Sequence, residues 1–424
     1  ELLLGKLSMD HRPLEIADNG NALRAERIGF AKLAQLAFDG CDLRPLLQET
    51  LRKIDEGTAS AGETIDLSVI AQLLGNKQAG LDIQTQVLSF QRLFRSPCVS
   101  VNPTLRVLAL AAAMDVGGNT PIEFLIEDFD IELTTLYVVP GTPLAPLPDH
   151  DVAIVVASDS EECRDALKEM AQLASRWPRP LLNAPHRVAN LDRDKLCRLL
   201  RGVPGLEIPD TLAATRVWLE GLASAAVALT DISDGLAFPV IVRPRGSHAG
   251  VGLAKVDDRS ALAGYLAERT EQDFFVSPFI DYSSTDGVFR KYRIAFVDGR
   301  PFAGHMAIAE RWDIWYLNAG MTFDSDKRRE EEKFMRDFDT DFSLRHRDAL
   351  CAISDRVGLD YFTIDCAENK RGELLLFEAD NTAVVHNMDS PDVFPYKAPH
   401  MRMIFDAFAR MLHRRAQSSA EQAA

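Results

Sequence analysis

Three carboxylates near the C-terminal end of the chain have the types and the spacing of a site for a hard cation. Asp365 lies near the end of one apolar, β-like run, and Glu378 and Asp380 lie two residues apart on the next. Residues i and i+2 of a strand point to the same face of a sheet. Carboxylate oxygens suit Mg²⁺, which commonly combines a few of them with substrate phosphates. The alternative is a polar turn at Asp380 and Asn381 beside a solvated strand end, and these residues alone do not separate the two.

A second stretch has the composition of a phosphate-binding loop. Residues 238–256, FPVIVRPRGSHAGVGLAKV, combine an apolar strand, a basic residue, a glycine-rich loop and a second apolar strand. Arg243 would project from the end of the first strand. Glycines 246, 250 and 252 would let backbone N–H groups approach an anion. The loop matches neither common nucleotide-binding glycine motif, so an empty hairpin turn is the alternative.

The elements that must position these residues follow from hydrophobic periodicity. Helices are predicted at 194–200, 257–268, 344–357 and 401–410, and the charged residues 324–336 are predicted to form a solvated helix or loop. Strands are predicted at 211–214, 274–280, 361–366 and 373–379, with a hairpin of residues 290–297 and 301–308 about Asp298 and Gly299. The polar residues after the last helix are expected to be disordered.

The first half of the chain has two patterns. Residues 22–95 carry apolar residues at three- and four-residue steps, which predicts a small helical domain. Residues 105–111, 132–139, 151–157 and 180–183 read as strands that alternate with helices. This alternation is typical of a doubly wound α/β unit.

Composition limits the functional class. The 424 residues are 46% apolar and 26% charged, as in ordinary globular proteins, and the net charge of −16 argues against nucleic-acid or anionic-membrane binding. The longest apolar run is too short to cross a bilayer, no signal-peptide pattern opens the chain, and we expect a cytoplasmic protein. The 6 cysteines are scattered, without a C-x-x-C pair, and are predicted to be reduced.

Taken in order, these features resemble those of the ATP-grasp superfamily over residues 183–389. The resemblance is to ligases of the type of glutathione synthetases and ribosomal-protein glutamate ligases. The resemblance implies an α/β and α+β multidomain chain. We expect a helical N-terminal domain at 1–98 and a Rossmann-like α/β domain preceding the grasp at 99–185. A two-lobed ATP-grasp domain at 186–415, with lobes of about 186–280 and 281–415, and a disordered tail at 416–424 would complete the chain.

The resemblance also implies that the cofactors are ATP and Mg²⁺, and it implies a role for each site residue. Lys195 and Arg243 would bind the α- and β-phosphates. The lid over the γ-phosphate would comprise Gly246, Ser247, His248 and Gly250. Ser277, Phe279 and Ile280 would contact adenine, and Asp281 would bind ribose.

On the reaction side, Arg293 would neutralise phosphate, and His305 could act as a general base. Arg311, with Arg290 and Lys291, would lie near the γ-phosphate. Asp365, Glu378 and Asp380 would hold magnesium, unless Asn381 takes the third place. Two residues depart from the family pattern, Arg243 where lysine is usual and Asp380 where asparagine is usual.

The function implied is an ATP-dependent carboxylate–amine ligase that forms an amide through an acyl phosphate, on an amino acid, peptide or peptide-like substrate. The alternatives are a kinase or phosphotransferase acting on a small molecule, and a nucleotide-sensing adaptor with a degenerate grasp. Expected partners are small-molecule or peptide substrates. A peptide or protein contact through the helical domain and a homodimer are left open.

Overall fold

The computed structural model describes residues 27–144, 146–229, 236–247 and 250–423, which form two compact units. Unit 1 contains the described residues up to 189 together with 359–362 and 381–423, and unit 2 contains 190–358 and 363–380. The chain is a mixed α/β protein with several sheets, as the sequence predicts. Within the described ranges, no helix is both long and apolar enough to cross a membrane.

Unit 1 begins with a helical layer. Its helices are α1 (Phe30–Phe38), α2 (Arg44–Asp55), α3 (Ala61–Leu73) and α4 (Lys77–Leu88). Ser60 and Glu63 form a reciprocal capping box that satisfies backbone N–H groups at the start of α3. The apolar faces meet in a core around Leu33, Leu67 and Ile70, which are almost fully buried.

A five-stranded sheet follows in unit 1. Its strands are β1 (Leu93–Arg95), β2 (Leu105–Ala112), β3 (Ile131–Val138), β4 (Val152–Val155) and β5 (Leu181–Leu182), in the order β1-β3-β2-β4-β5. The intervening and following helices are α5 (Ile122–Ile126), α6 (Arg164–Ala174) and α7 (Pro185–Val188). The strands after β1 pair in parallel, and β1, which the sequence predicts as helix, pairs antiparallel with β3. A three-residue strand is too short for periodicity to reveal.

Unit 2 contains the elements that carry the predicted site. They are α8 (Arg193–Leu200), β6 (Leu206–Glu207), β7 (Leu212–Thr215), α9 (Arg216–Ala223), β8 (Val240–Pro244), β9 (Ala254–Val256), α10 (Arg259–Ala267), β10 (Asp273–Pro278), β11 (Phe289–Val297), β12 (Arg300–Ala309), α11 (Ser325–Asp337), α12 (Phe342–Arg345), α13 (Arg347–Val357), β13 (Tyr361–Glu368) and β14 (Leu374–Asp380). The first two residues of β13 belong to unit 1.

The smaller sheet of unit 2 has the order β7-β10-β8-β9 and is antiparallel throughout. Val240, Val242 and Phe274 point to one face and pack with apolar residues of α9 and α10. Alternation places Arg243 on the opposite face, in register with Phe275 on β10. The sheet therefore has one apolar face and one face that carries a cation.

The larger sheet has the order β12-β11-β13-β14-β6. Tyr292 on β11 packs against the Phe334 and Phe342 rings, with 4.8 Å between ring centroids in both pairs, so helices cover this face. The register shifts between Arg293 and Ile294, where Gly304 lies in the facing strand, and again after Asp365. Bulges of this kind redirect neighbouring side chains and are frequent next to active sites.

The last helix, α14 (Lys397–Ala423), packs within unit 1 against α5 and β4. Its Phe408 ring lies 5.2 Å from that of Tyr361. The helix is longer than the predicted 401–410, and residues 416–423, for which we expected disorder, are helical. Their alanine, glutamine and glutamate residues have a high helix propensity. The prediction of disorder considered only the polarity of the segment.

A buried asparagine fixes the start of β13. Asn183 is fully buried, and its side-chain amide donates to the Tyr361 carbonyl and accepts from the Tyr361 N–H, both at 2.9 Å. Its backbone has a φ of 51°, a left-handed conformation that asparagine tolerates better than most residues. The side chain therefore substitutes for a strand partner at the point where the site-bearing strand begins.

Asn183→Ala should lower the free energy of unfolding by about 2–4 kcal/mol, because two buried backbone groups lose their partners. Chemical denaturation measures this loss. The matched control is Asn102→Ala, at an exposed position, which should shift the midpoint little. Equal effects of the two substitutions would contradict the structural role of Asn183.

Candidate active site

Asp365 is the most tightly held acidic residue of the predicted site. Arg293 binds it in a bidentate manner, with Nε donating to Oδ1 at 2.7 Å and Nη2 donating to Oδ2 at 3.0 Å. Lys291 Nζ lies 2.7 Å from Oδ2. Burial raises the pKa of Asp365, but the charges and hydrogen bonds of the two basic residues outweigh burial and hold that pKa well below its ordinary value. The carboxylate is therefore ionised and compensated.

Glu378 and Asp380 occupy the same face of the larger sheet as Asp365. Glu378 is directly opposite Asp365 across the β13–β14 pair, and Asp380 is opposite Thr363. Directly opposed residues share a face, as do residues two apart. The Glu378 carboxylate forms an ion pair with Arg193, from the first turn of α8. The sequence prediction that these three carboxylates share a face agrees with the strand register.

Asn381 is held elsewhere. Its side chain is fully buried within unit 1, where the amide donates to the Ala157 carbonyl at 2.9 Å. Its own carbonyl accepts from the Thr120 hydroxyl at 2.7 Å. These contacts use the amide nitrogen and the main-chain carbonyl of Asn381. Asp380 is the candidate that the strand register supports, because it lies two residues after Glu378 on β14 in unit 2.

Arg243 carries a partly buried positive charge. Its guanidinium donates to the Ser247 hydroxyl, at 3.3 Å from Nε and 3.2 Å from Nη2, and to the Ser247 carbonyl. No carboxylate in the described part of the chain forms an ion pair with it. Burial first, and then the charge of Arg193, lower the pKa of Arg243 to about 9. Two neighbouring cations, one of them without a carboxylate partner, create a local potential that favours an anion.

The glycine loop begins as the sequence predicts. The Ser247 hydroxyl donates to the Pro244 carbonyl at 2.8 Å, and Gly246 has a φ of 74°. At Gly252 a Cβ atom would lie 2.6 Å from Pro244 Cδ, on a backbone with a φ of 71°, so only glycine fits. Gly250 also has a positive φ, of 73°, whereas His248, predicted to belong to the lid, lies outside the described residues.

The predicted adenine and ribose residues lie at the end of β10 and in the connection that follows it. Ser277 pairs with Ile241, and the Phe279 N–H donates to the Pro239 carbonyl at 3.1 Å. Lys255 Nζ lies 4.6 Å from the centre of the Phe279 ring. Ile280 packs beside Tyr282 and Leu375. Adenine contacts to the Phe279 backbone would therefore involve its carbonyl, since its N–H is already used.

Asp281 is engaged by a basic residue. Lys370 Nζ lies 2.5 Å from its Oδ2, and the Ser283 N–H donates to its Oδ1 at 3.0 Å. The hydrogen bond from Lys370 is the main cause that lowers the pKa of Asp281 to about 2. The carboxylate is thus ionised and able to accept hydrogen bonds from a ribose.

The remaining predicted residues lie on different faces of the larger sheet or outside it. His305 is opposite Arg293 in the β11–β12 register and shares its face. Arg290 points to the other face, where it pairs with Asp286 and Glu330, so it does not join Lys291 as predicted. Strict alternation along β11 is the physical reason. Arg311 pairs with Asp313 on the exposed connection after β12, and Lys195 lies in the first turn of α8.

Arg193 is the residue that sequence reasoning missed. It contacts Glu378 on the larger sheet and acts electrostatically on Arg243 of the smaller one. Lys195, two residues later, drew attention through the family resemblance, and no spacing pattern distinguishes Arg193. The role of Lys291 as a partner of Asp365 was detectable, because it lies two residues before Arg293 on the same strand.

Basic side chains already contact two of the three carboxylates. Within the ranges that the structure describes, no three His, Cys, Asp or Glu side chains are grouped as a metal site. The Asp365 oxygens contact two basic residues, and Glu378 forms an ion pair with Arg193. The carboxylate oxygens of Glu378 and Asp380 are of the type that suits Mg²⁺.

Comparisons with known proteins give structural similarities alone. No family model and no curated protein matches the chain. It is similar to a RimK domain protein ATP-grasp from Sphaerobacter thermophilus, at 20% identity over 72% of this chain and 99% of that one, with a TM-score of 0.43. It is also similar to D-alanine–D-alanine ligase from Bacillus anthracis complexed with ATP, at 14% identity over 74% and 99%, with a TM-score of 0.44.

A third similar structure is VanG D-Ala:D-Ser ligase from Enterococcus faecalis, at 13% identity over 73% of this chain and 100% of that one, with a TM-score of 0.43. ATP-grasp proteins are thus among the solved structures that this chain resembles. Because all three TM-scores are below 0.5, the case for function rests on the residues of this chain.

Asp365→Asn should destabilise the protein at neutral pH by about 3–5 kcal/mol, because two partly buried cations lose their shared carboxylate. The folded-state pKa of Asp365 is lowered, so its contribution is fully present above an ordinary carboxyl pKa of about 4 and is lost as pH falls toward the folded-state value. Unfolding measured between neutral and acidic pH should show the difference between wild type and variant shrinking with acid. Asp42→Asn, at an exposed ion pair, is the control. A difference that grows as pH falls would contradict the assignment.

Proposed function

We propose that this chain is an ATP-dependent carboxylate–amine ligase of the ATP-grasp type, which acts through an acyl phosphate. The observation that carries the proposal is the partly buried Arg243, which forms no ion pair with a carboxylate in the described part of the chain and lies near Arg193. Arg193 in turn contacts Glu378. Cations and a metal-binding carboxylate are thereby joined across the two sheets of unit 2, as a triphosphate with magnesium requires.

In this proposal the polyphosphate neutralises the positive charge for which the described residues supply no ion-pairing carboxylate. Arg243 binds a phosphate oxygen, and Arg193 exchanges Glu378 for the phosphate chain, with Lys195 nearby in the same helical turn. The guanidinium fork suits bidentate phosphate contacts. The glycine loop with Ser247 covers the γ-phosphate and excludes water from a reactive intermediate. The segment from Ser277 to Ile280 contacts adenine, and Asp281 accepts from the ribose.

Magnesium would be held by Glu378 and Asp380, and when bound it would neutralise the transferring phosphoryl group. Arg293 adds positive charge on the same face. Asp365 accepts hydrogen bonds from two of its guanidinium nitrogens and so fixes its orientation. Phosphoryl transfer depends mainly on positioning and charge neutralisation. These groups can therefore support the reaction without a protein nucleophile.

The two chemical steps assign roles to the residues of the larger sheet. First, a substrate carboxylate oxygen attacks the γ-phosphorus, the bond to the bridging oxygen breaks, and ADP leaves. Then an amine attacks the acyl carbon, phosphate departs, and the amine proton passes to a base. His305, on the face of Arg293, is the residue we assign as that base. We assign no step to Arg311.

An acceptor-dependent assay tests the reaction class. ADP formation is measured with amino acids and short peptides as carboxylate and amine donors, with hydroxylamine as a trap for an acyl phosphate. A hydroxamate product is the expected result for a ligase. Phosphate retained on the product would instead indicate a kinase, and ATP binding without turnover would indicate a nucleotide-sensing adaptor.

Arg243→Ala should raise the KM for ATP roughly 10- to 100-fold, the equivalent of about 1.5–3 kcal/mol for a lost hydrogen bond to a charged group. Arg243→Lys is the matched control, because it keeps the charge and should recover part of the affinity. Steady-state kinetics at saturating acceptor measure both variants. An unchanged KM in Arg243→Ala would remove this residue from the site.

Glu378→Gln should reduce ADP formation at least about 100-fold, because a neutral amide is a poor ligand for Mg²⁺. Circular dichroism should show an intact fold, since Glu378 is partly exposed and the amide still accepts a hydrogen bond from Arg193. Asp281→Asn, at the proposed ribose contact, serves as a comparison that should act mainly on the KM. Unaltered turnover in Glu378→Gln would refute the magnesium assignment.

A further inference from the structure

Asp365 differs from the other two carboxylates in how completely it is neutralised. Its side chain is 4% exposed, and three basic nitrogens contact its two oxygens. Glu378 is 27% exposed and pairs with Arg193, which arrives from a different element. Lys291 and Arg293, by contrast, lie two residues apart on β11, beside β13 in the sheet. A strand of the same sheet, β11, therefore supplies both cations that contact Asp365.

We propose that the Lys291 ammonium takes the place of a second metal ion, so that the nucleotide binds here with a single divalent cation. This inference rests on the proposed function. Phosphoryl-transfer sites often use two ions to neutralise the phosphates. In this chain, the Lys291 side chain on β11 already supplies one such positive charge.

Geometry excludes a metal ion at Asp365 while Lys291 is in place. A magnesium ion on Oδ2 would lie about 2.0–2.1 Å from that oxygen. Lys291 Nζ lies 2.7 Å from the same oxygen, and Arg293 Nη2 lies 3.0 Å from it. A divalent ion added there would meet two positive charges at close range. Lys291 would have to leave before the ion could bind.

Charge counting leads to the same conclusion. Lys291 and Arg293 together carry two positive charges against the single negative charge of Asp365. Two side-chain cations therefore already contact Asp365 without a metal. On the same face, Glu378 and Asp380 would hold one ion once Arg193, the ion-pair partner of Glu378, turns toward phosphate. The expected ratio is one divalent ion for each bound nucleotide.

The number of bound ions tests this inference without relying on turnover. The full chain is incubated with β,γ-imido-ATP and Mn²⁺, and bound Mn²⁺ is counted by electron paramagnetic resonance against bound nucleotide measured by calorimetry. Wild type should bind one Mn²⁺ per nucleotide. Lys291→Met, which keeps the side-chain length and removes the charge, should bind two. Lys291→Arg, the charge-conserving control, should bind one.

The outcomes separate this inference from the proposed function. Two Mn²⁺ ions per nucleotide in wild type would overturn the role of Lys291 and leave ATP binding intact. One ion in both wild type and Lys291→Met would also overturn it. Failure of wild type to bind the nucleotide at all would overturn the proposed function and this inference with it. Lys291→Gln, checked by thermal melting, replaces Lys291→Met if the latter does not fold.

Discussion

A buried charge must be compensated, and the site in unit 2 is arranged around that constraint. Asp365 is compensated within the larger sheet by Lys291 and Arg293. Arg243 on the smaller sheet has no ion-pairing carboxylate among the described residues, and Arg193 adds to its positive environment while it contacts Glu378. Leaving ions incompletely paired in a low-dielectric environment costs stability. In the proposed function, the site would be preorganised for an anion, at a cost that binding would relieve.

Strand alternation decides which residues take part. On β11, Lys291 and Arg293 face the carboxylates, while Tyr292 between them packs under the helices. Arg290, one residue before Lys291, points to the same face as Tyr292 and pairs with Glu330. On β14 the same alternation carries Glu378 and Asp380 together. The bulges at Gly304 and after Asp365 interrupt this period beside Arg293 and Asp365, where the direction of the side chains matters most.

Much of this arrangement was predictable from the sequence. The hairpin about Asp298 and Gly299 and the strands that carry Asp365 and Glu378 follow from hydrophobic periods and turn residues. Arg193 was not predictable, because its partners lie 185 and 50 residues away in the chain and only the fold brings them together. The short strands β1 and β6 were missed because two or three residues carry no period. The helix after Arg410 was missed because polarity is shared by disordered tails and solvated helices.

The central claim is that the cations of Arg193 and Arg243 form a phosphate site shared with the Glu378 carboxylate. A crystal structure with β,γ-imido-ATP and Mg²⁺ tests it most directly. The account predicts the triphosphate against the Arg243 guanidinium, the metal ion on Glu378, and Arg193 turned from Glu378 to the phosphates. A nucleotide bound elsewhere, or one bound here with Arg193 still on Glu378 and no phosphate at Arg243, would contradict the account.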